Sequence, residues 1–223
     1  METLNVNCFS DLHEYVHSRS TERIVVVYRG VRDRVEHLLT PKVGRTGTRG
    51  KTLLGDEKRM LRLFKERAFG YLPFTPEDDW EWLTIAQHHG LPTRLLDWTR
   101  NPLVAAYFAT EKQHDGESLI YAFKSNSYVN RDECDSPFDI NATDRFLPRN
   151  VTPRLTAQAG AFTVHPDPRK PFESAAIDHL VIAAQFRREL KGILYKYGIH
   201  RATLFPDLDG LCKHIEWLRT DQY

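Results

Sequence analysis

Two stretches of this chain carry side chains suited to chemistry: Tyr28-Arg29-Gly30 and the run from Gln87 to Thr99. An arginine that follows a Val-rich run and precedes glycine suits an anionic ligand. Its guanidinium offers a bidentate fork to phosphate, and Gly30 would let the backbone approach closely. The competing role for Arg29 is a pair with a carboxylate at the strand end. The second stretch reads Gln87-His88-His89-Gly90-Leu91-Pro92-Thr93-Arg94-Leu95-Leu96-Asp97-Trp98-Thr99. A core strand has no need of an amide, two imidazoles, a guanidinium, a carboxylate and an indole so close together. His88 or His89 could serve as general acid or base, Arg94 as an anion clamp, Asp97 as an electrostatic or orienting carboxylate, and Trp98 as a stacking surface. The alternative is a buried network in which Arg94 pairs with Asp97 or another carboxylate and one histidine caps a helix end.

The chain has ten histidines, but His88-His89 is not a chelating spacing on a helix, and no HExxH, CxxC or carboxylate cluster completes a site. A structural zinc is rejected and no metal is expected, although a divalent ion held by Asp97 and distant residues stays open. Neither GxxxxGK[ST] nor GxGxxG occurs, which removes the P-loop and Rossmann modes of nucleotide binding.

The elements that must position these residues follow from periodicity and caps. Ser10, Leu12 and Val16 predict a short capped helix, and Arg23 to Tyr28 is a β-branched run that predicts a buried strand delivering Arg29 to the sheet edge. From Pro41 to Lys51, glycines and positive charges predict a mobile loop. Asp56 caps a helix bearing Met60, Leu61, Phe64 and Ala68 on one face. Thr75 and Pro76 start another helix that runs to a stop at Gly90. Thr93 to Thr99 predicts a short strand, Asn101-Pro102 opens a helix through Ala109, and Ser118 to Phe123 is the next strand. The stretch 126–149 is an irregular excursion. Arg154 to Val164 and His179 to Ala184 predict strands, Phe186 to Tyr197 a helix ended by Gly198, and a last helix follows Asp207-Leu208-Asp209-Gly210. Leu83, Leu95, Leu96, Leu103 and Phe108 are the expected core.

A mixed order of this kind predicts an α+β fold: one domain over 1–223, core about 20–220, with a mixed or mostly antiparallel split sheet flanked by helices. At 223 residues and 41% hydrophobic content, one domain with a sizeable core is the default. Thirty-one basic against thirty acidic residues leave a net charge of +1, which gives no general pull towards nucleic acid or membrane. The first thirty residues hold no apolar run of leader or spanning length. Cys8, Cys134 and Cys212 show neither metal spacing nor a disulfide framework. A cytoplasmic protein with reduced thiols and no membrane partner is expected.

Tyr28-Arg29-Gly30, the run from Gln87 through Phe108-Ala109, Arg154 to Thr163, and Leu204 to Gly210 together resemble the FRG domain, named for its (F/Y)RG motif. The pattern QHxGxPTRLLDWTxNP is specific, and the resemblance spans nearly the whole chain. A second resemblance is to arginine-type ADP-ribosyltransferases, in order and character of elements. Arg29 matches the aromatic-Arg-Gly of an early strand, Leu95 to Thr99 with Ala105-Ala106-Tyr107-Phe108-Ala109 a later strand and its Ala-rich helix, and Gln158 falls near a catalytic glutamate. That likeness implies NAD as substrate, an ADP-ribosyltransferase-like fold and transfer to an unknown protein or nucleic-acid acceptor, in the manner of a toxin or phage-defence effector. It implies a catalytic set of Arg29, His88, Asp97 and Gln158, with Arg29 on the diphosphate, His88 and Thr99 on the nicotinamide ribose, Arg94 and Asp97 shaping the site or taking part in it, Gln158 orienting the acceptor, and Tyr28, Gly30, Thr93 and Trp98 among the residues that bind NAD. Gln158 is neutral where the transferases have a carboxylate, so Asp97, Glu57 or the acceptor supplies the charge, or the site binds a nucleotide without turning it over. The other functional classes are a non-catalytic module that senses a nucleotide or phage component, and a metal-free nuclease using His88 or His89 with Arg94 on phosphate.

Overall fold

The computed structural model describes residues 1–19, 23–35, 38–45, 54–148 and 152–220. Seven strands form one sheet: β1 (Thr3–Val6), β2 (Val26–Val31), β3 (Leu95–Thr99), β4 (Ser118–Lys124), β5 (Asp144–Phe146), β6 (Gly160–Val164) and β7 (Ile177–Ile182), in the order β1-β7-β4-β2-β3-β6-β5. Only β1 and β7 run parallel; the other pairs are antiparallel. The helices are α1 (Phe9–Ser18), α2 (Glu57–Ala68), α3 (Asp79–His88), α4 (Pro102–Thr110), α5 (Pro153–Ala157), α6 (Arg187–Lys196), α7 (Arg201–Leu204) and α8 (Leu208–Thr220). The fold is α+β, with one open and mostly antiparallel sheet.

The sheet is nearly divided in its middle. β2 pairs with β4 from Val26 to Val31, and β3 pairs with β6 along its whole length, yet β2 meets β3 only at Tyr28 opposite Thr99. That one pair also fixes which side the helices occupy. Residues directly opposite in a sheet share a face, and alternate residues of a strand share it too. Tyr28 packs in the cluster with α1, α4 and α6, whereas Leu95, in phase with Thr99, packs in the cluster of α2 and α3. Both helical groups therefore cover the same face, one on each half of the sheet. Val27, Val31, Leu96 and Trp98 point the other way, where Leu39 and Phe172 cover them.

Several expectations shift for local physical reasons. β2 starts at Val26, after exposed Ile24 and Val25, and lies centrally in the sheet, so Arg29 sits beside the split and not at an outer edge. The helix expected from Thr75 begins at Asp79, because the Asp78 carboxylate accepts the Glu81 amide at 2.9 Å and outcompetes Thr75 as cap. Its stop is as predicted, since Gly90 has φ +87°. The strand expected over Arg154 to Val164 is a helix followed by a strand. Thr152 caps α5 by accepting the Leu155 amide at 3.1 Å, Pro153 occupies its first turn, and the chain turns at Ala159 (φ +46°) before β6. Lys42–Gly44 forms a 3-10 turn with Val43 and Gly44 buried, whereas positions 46–51 of the predicted loop lie outside the described residues. β1, β5 and α7 are additions; β5 lies inside the stretch predicted to be irregular. Leu83, Leu95 and Leu96 are core, while Leu103 and Phe108 are only partly buried.

Gly30 has a packing role. A Cβ there would fall 1.8 Å from the Ala105 carbonyl oxygen, so only glycine lets α4 lie this close on β2.

Candidate functional site

A cleft of about 870 Å³ opens where the sheet divides. Tyr28, Arg29 and Gly30 of β2 and Asp97, Trp98 and Thr99 of β3 line it. Gln87 and His88 come from the end of α3, Phe108 from the end of α4, Arg154 from α5, and Gln158 from the turn before β6. A gap between strands covered on one face by two helical groups makes such an opening, and side chains at the strand and helix ends converge on it.

Arg29 spans the split. Its Nη1 donates to the Asp97 carbonyl oxygen at 2.7 Å and lies 3.8 Å from the Asp97 carboxylate. Its Nε is buried and has no hydrogen-bond partner among the described residues. Burial pushes the guanidinium below its ordinary range, the Asp97 carboxylate opposes that, and Arg45 adds to it. Arginine stays charged regardless, so a largely buried cation lines this part of the cleft.

Asp97 is held by a relay that begins in the core. Thr93 is fully buried, and its hydroxyl donates to Gln87 Oε1 at 2.7 Å; Gln87 Nε2 then donates to both Asp97 carboxylate oxygens at 3.1 Å. Thr93 thus acts through Gln87 and does not line the cleft. Arg94 does not line it either. Its Nε and Nη2 donate to Glu57 Oε2 at 3.1 and 2.9 Å, its backbone N–H donates to Glu57 Oε1 at 2.7 Å, and both residues are buried. Of the two roles open to Arg94, the structural pair is the one it plays, and this pair takes Glu57 away from the cleft.

Thr99 and Trp98 line the cleft with their polar atoms already committed. The Thr99 hydroxyl donates to the Gln158 carbonyl at 2.7 Å and accepts the Asn101 amide at 3.0 Å, fixing the turn that carries Gln158. The Gln158 amide nitrogen donates to the Leu204 carbonyl at 3.0 Å. Trp98 Nε1 donates to Thr163 Oγ1 at 2.9 Å, and that hydroxyl is 2.8 Å from His165 Nε2.

His88 is pushed down to about 4, by burial first, then by Arg154 and His89, with Asp97 acting the other way. It is therefore a neutral imidazole at neutral pH. Burial also lowers Arg154, against the pull of Asp97. Arg32, Lys42, Glu111 and Lys112 are lining residues that motif reading did not find. Arg32, Lys42 and the adjacent Glu111-Lys112 lie far apart along the chain, and only the fold gathers them. Arg29, Arg32, Lys42, Lys112 and Arg154 outnumber Asp97 and Glu111, so the cleft favours an anion. Among the described residues, no group of three His, Cys, Asp or Glu could hold a metal ion.

The site and fold define a mixed-sheet α+β protein with a basic cleft at the division of its sheet. Residues 25–118 match the family model of the FRG domain. The match takes in Arg29 and the whole stretch from Gln87 to Thr99; Arg154 and Gln158 fall after it. No curated protein and no solved structure matches the chain.

Proposed function

We propose that the cleft binds NAD and that the protein transfers its ADP-ribosyl group to an acceptor. The observation that carries this reading is the convergence of Arg29, His88, Asp97 and Gln158, from four separate segments, on one basic cleft of about 870 Å³. That volume lies within the range of roughly 300–1,000 Å³ typical of small-molecule sites and near its upper end, where a dinucleotide belongs. Arg29 offers its guanidinium to the diphosphate, with Arg154 and Lys42 adding positive charge. Neutral His88 is a hydrogen-bond partner for a ribose hydroxyl. In the transfer, the bond between the ribosyl carbon and the nicotinamide nitrogen breaks and its electron pair leaves with nicotinamide. The acceptor nucleophile bonds to that carbon and loses its proton. Positive charge grows on the sugar meanwhile, and Asp97, 59% exposed and aimed by Gln87, is the carboxylate placed to meet it. An effector role, as a toxin or in phage defence, is the setting that the sequence resemblance to ADP-ribosyltransferases suggests for such a transfer.

A second reading rests on the same carboxylate. Asp97 is already engaged by Gln87 and Arg29, and Gln158 is a neutral amide tethered to Leu204, which suits a site that senses a nucleotide without turning it over. Incubation with NAD and chromatographic measurement of nicotinamide separates the two. Transfer predicts nicotinamide release that falls at least ~100-fold in Asp97→Asn while NAD still binds. NAD binding with no release by the wild-type protein favours the sensor, and loss of nucleic-acid integrity without NAD favours the nuclease.

A further inference from the structure

A second pocket, of about 260 Å³, adjoins the cleft at Glu111 and Lys112, which line both. Its walls come from α4, α6, α7 and α8, and they are ring-rich. His200 and His214 stack in parallel, 4.1 Å between centroids and 8° between planes, and Trp217 continues that row 5.9 Å beyond His214 at 23°. Tyr195 stands against all three rings at 5.5–5.8 Å. His200 Nδ1 is buried and without a hydrogen-bond partner among the described residues.

Cations surround these rings. Lys112, Lys191, Arg201 and Lys213 line the pocket against two carboxylates, Glu111 and Glu216. Arg201 pairs with Glu111, and Lys191 Nζ donates to the Glu111 carbonyl at 2.9 Å and lies 5.3 Å from the Trp217 ring centroid. Lys112 and Lys213 are exposed at the mouth. The stacked histidine pair leaves no gap between its rings, so a flat heteroaromatic ring would lie against the wall that Tyr195 and Trp217 add beside it, and a cationic rim selects an anion attached to that ring. A pocket below the usual range of roughly 300–1,000 Å³ has room for one such unit and not for a dinucleotide.

We infer that this pocket binds a single nucleoside monophosphate unit, its base against the aromatic wall of Tyr195 and Trp217 and its phosphate towards Lys112 and Lys213. The inference shares Lys112 with the cleft lining but uses none of Arg29, His88, Asp97, Arg154 and Gln158, so either can fail alone. The unit is either a free nucleotide or one residue of a nucleic-acid strand.

Calorimetric titration of the full chain with AMP, GMP, CMP and UMP, with ribose 5-phosphate and with inorganic phosphate tests it. At least one nucleotide should bind, with the two base-free probes at least ~10-fold weaker. Trp217→Ala should weaken that nucleotide roughly tenfold through the lost stacking. Lys213→Glu, at an exposed position that folding does not need, should weaken it several-fold, and Arg29→Lys should leave it unchanged. A short oligonucleotide that binds more than ~10-fold tighter than the mononucleotide assigns the unit to a strand, and equal binding assigns it to a free nucleotide. Absence of binding by all four nucleotides at millimolar concentration overturns the inference. So does an affinity untouched by both Trp217→Ala and Lys213→Glu, or one lost in Arg29→Lys.

Discussion

Arg94 and Asp97, three positions apart in one motif, do different work. Arg94 is spent on Glu57 in the interior, whereas Asp97 stays in the cleft under the hold of Gln87. Removing one member of a buried pair leaves the other charge unmet, so Glu57→Ala should destabilise the fold by roughly 3–5 kcal/mol. Urea unfolding of the variant measures this; a loss below about 1 kcal/mol would show that the pair holds nothing. His165 gives a second prediction. Burial, with Arg94 and Arg29 adding to it, pushes its imidazole down to about 4, and Thr163 meets its Nε2. The unfolded chain takes up this proton below about 6.5, the folded one only near 4. Between those values the unfolded state binds more protons, so unfolding free energy falls as pH falls through that window and is unaffected by this group above it. His88, also near 4, acts in the same direction. Unfolding free energies from about pH 7 to about pH 4.5 should decline less steeply in His165→Gln than in the wild type, and identical slopes would remove His165 from the effect.

At the scale of elements, the packing of α4 on β2 depends on one missing methyl group. A methyl at position 30 would stand 1.8 Å from the Ala105 oxygen, so Gly30→Ala must push α4 off the strand, at a cost of about 3 kcal/mol or more. Thermal unfolding reads this directly, and an unchanged melting temperature would contradict the packing described. The glycine of Tyr-Arg-Gly was legible as a close approach, but the partner is a helix backbone. Long helices such as α2 and α6 were readable because burial repeats along them, β4 because it is one continuous apolar run, and Gly90 and Gly198 marked helix ends that positive φ confirms. Short elements were not. α5 is five residues long and β5 three, too short for a period to show, and their identity rests on a Thr152-Pro153 start and on pairing with β6. α3 was legible except at its start, where Asp78 takes the cap that Thr75 was expected to provide.

For the whole molecule, the motif residues of the cleft were readable, yet its electrostatic character was not. Arg32, Lys42, Glu111, Lys112 and Arg154 reach it from loops and helix ends, a gathering that depends on where the sheet divides. The chain as a whole is almost neutral, so composition gives no sign of this basic opening. No helix of the described residues is long and apolar enough to cross a membrane.

That a phosphate-bearing dinucleotide occupies the cleft through the fork of Arg29 is tested most directly by Arg29→Lys, with NAD affinity and melting temperature measured on the same sample. Lysine keeps the charge and loses the fork. Its pair with Asp97 is 3.8 Å long and the carboxylate is 59% exposed, so the ion pair itself is worth about 1 kcal/mol or less. The melting temperature should move by no more than a few degrees, while NAD affinity falls at least ~10-fold through the lost charge-assisted hydrogen bond. A large drop in melting temperature with NAD affinity unchanged would make Arg29 a structural cation and remove it from the site.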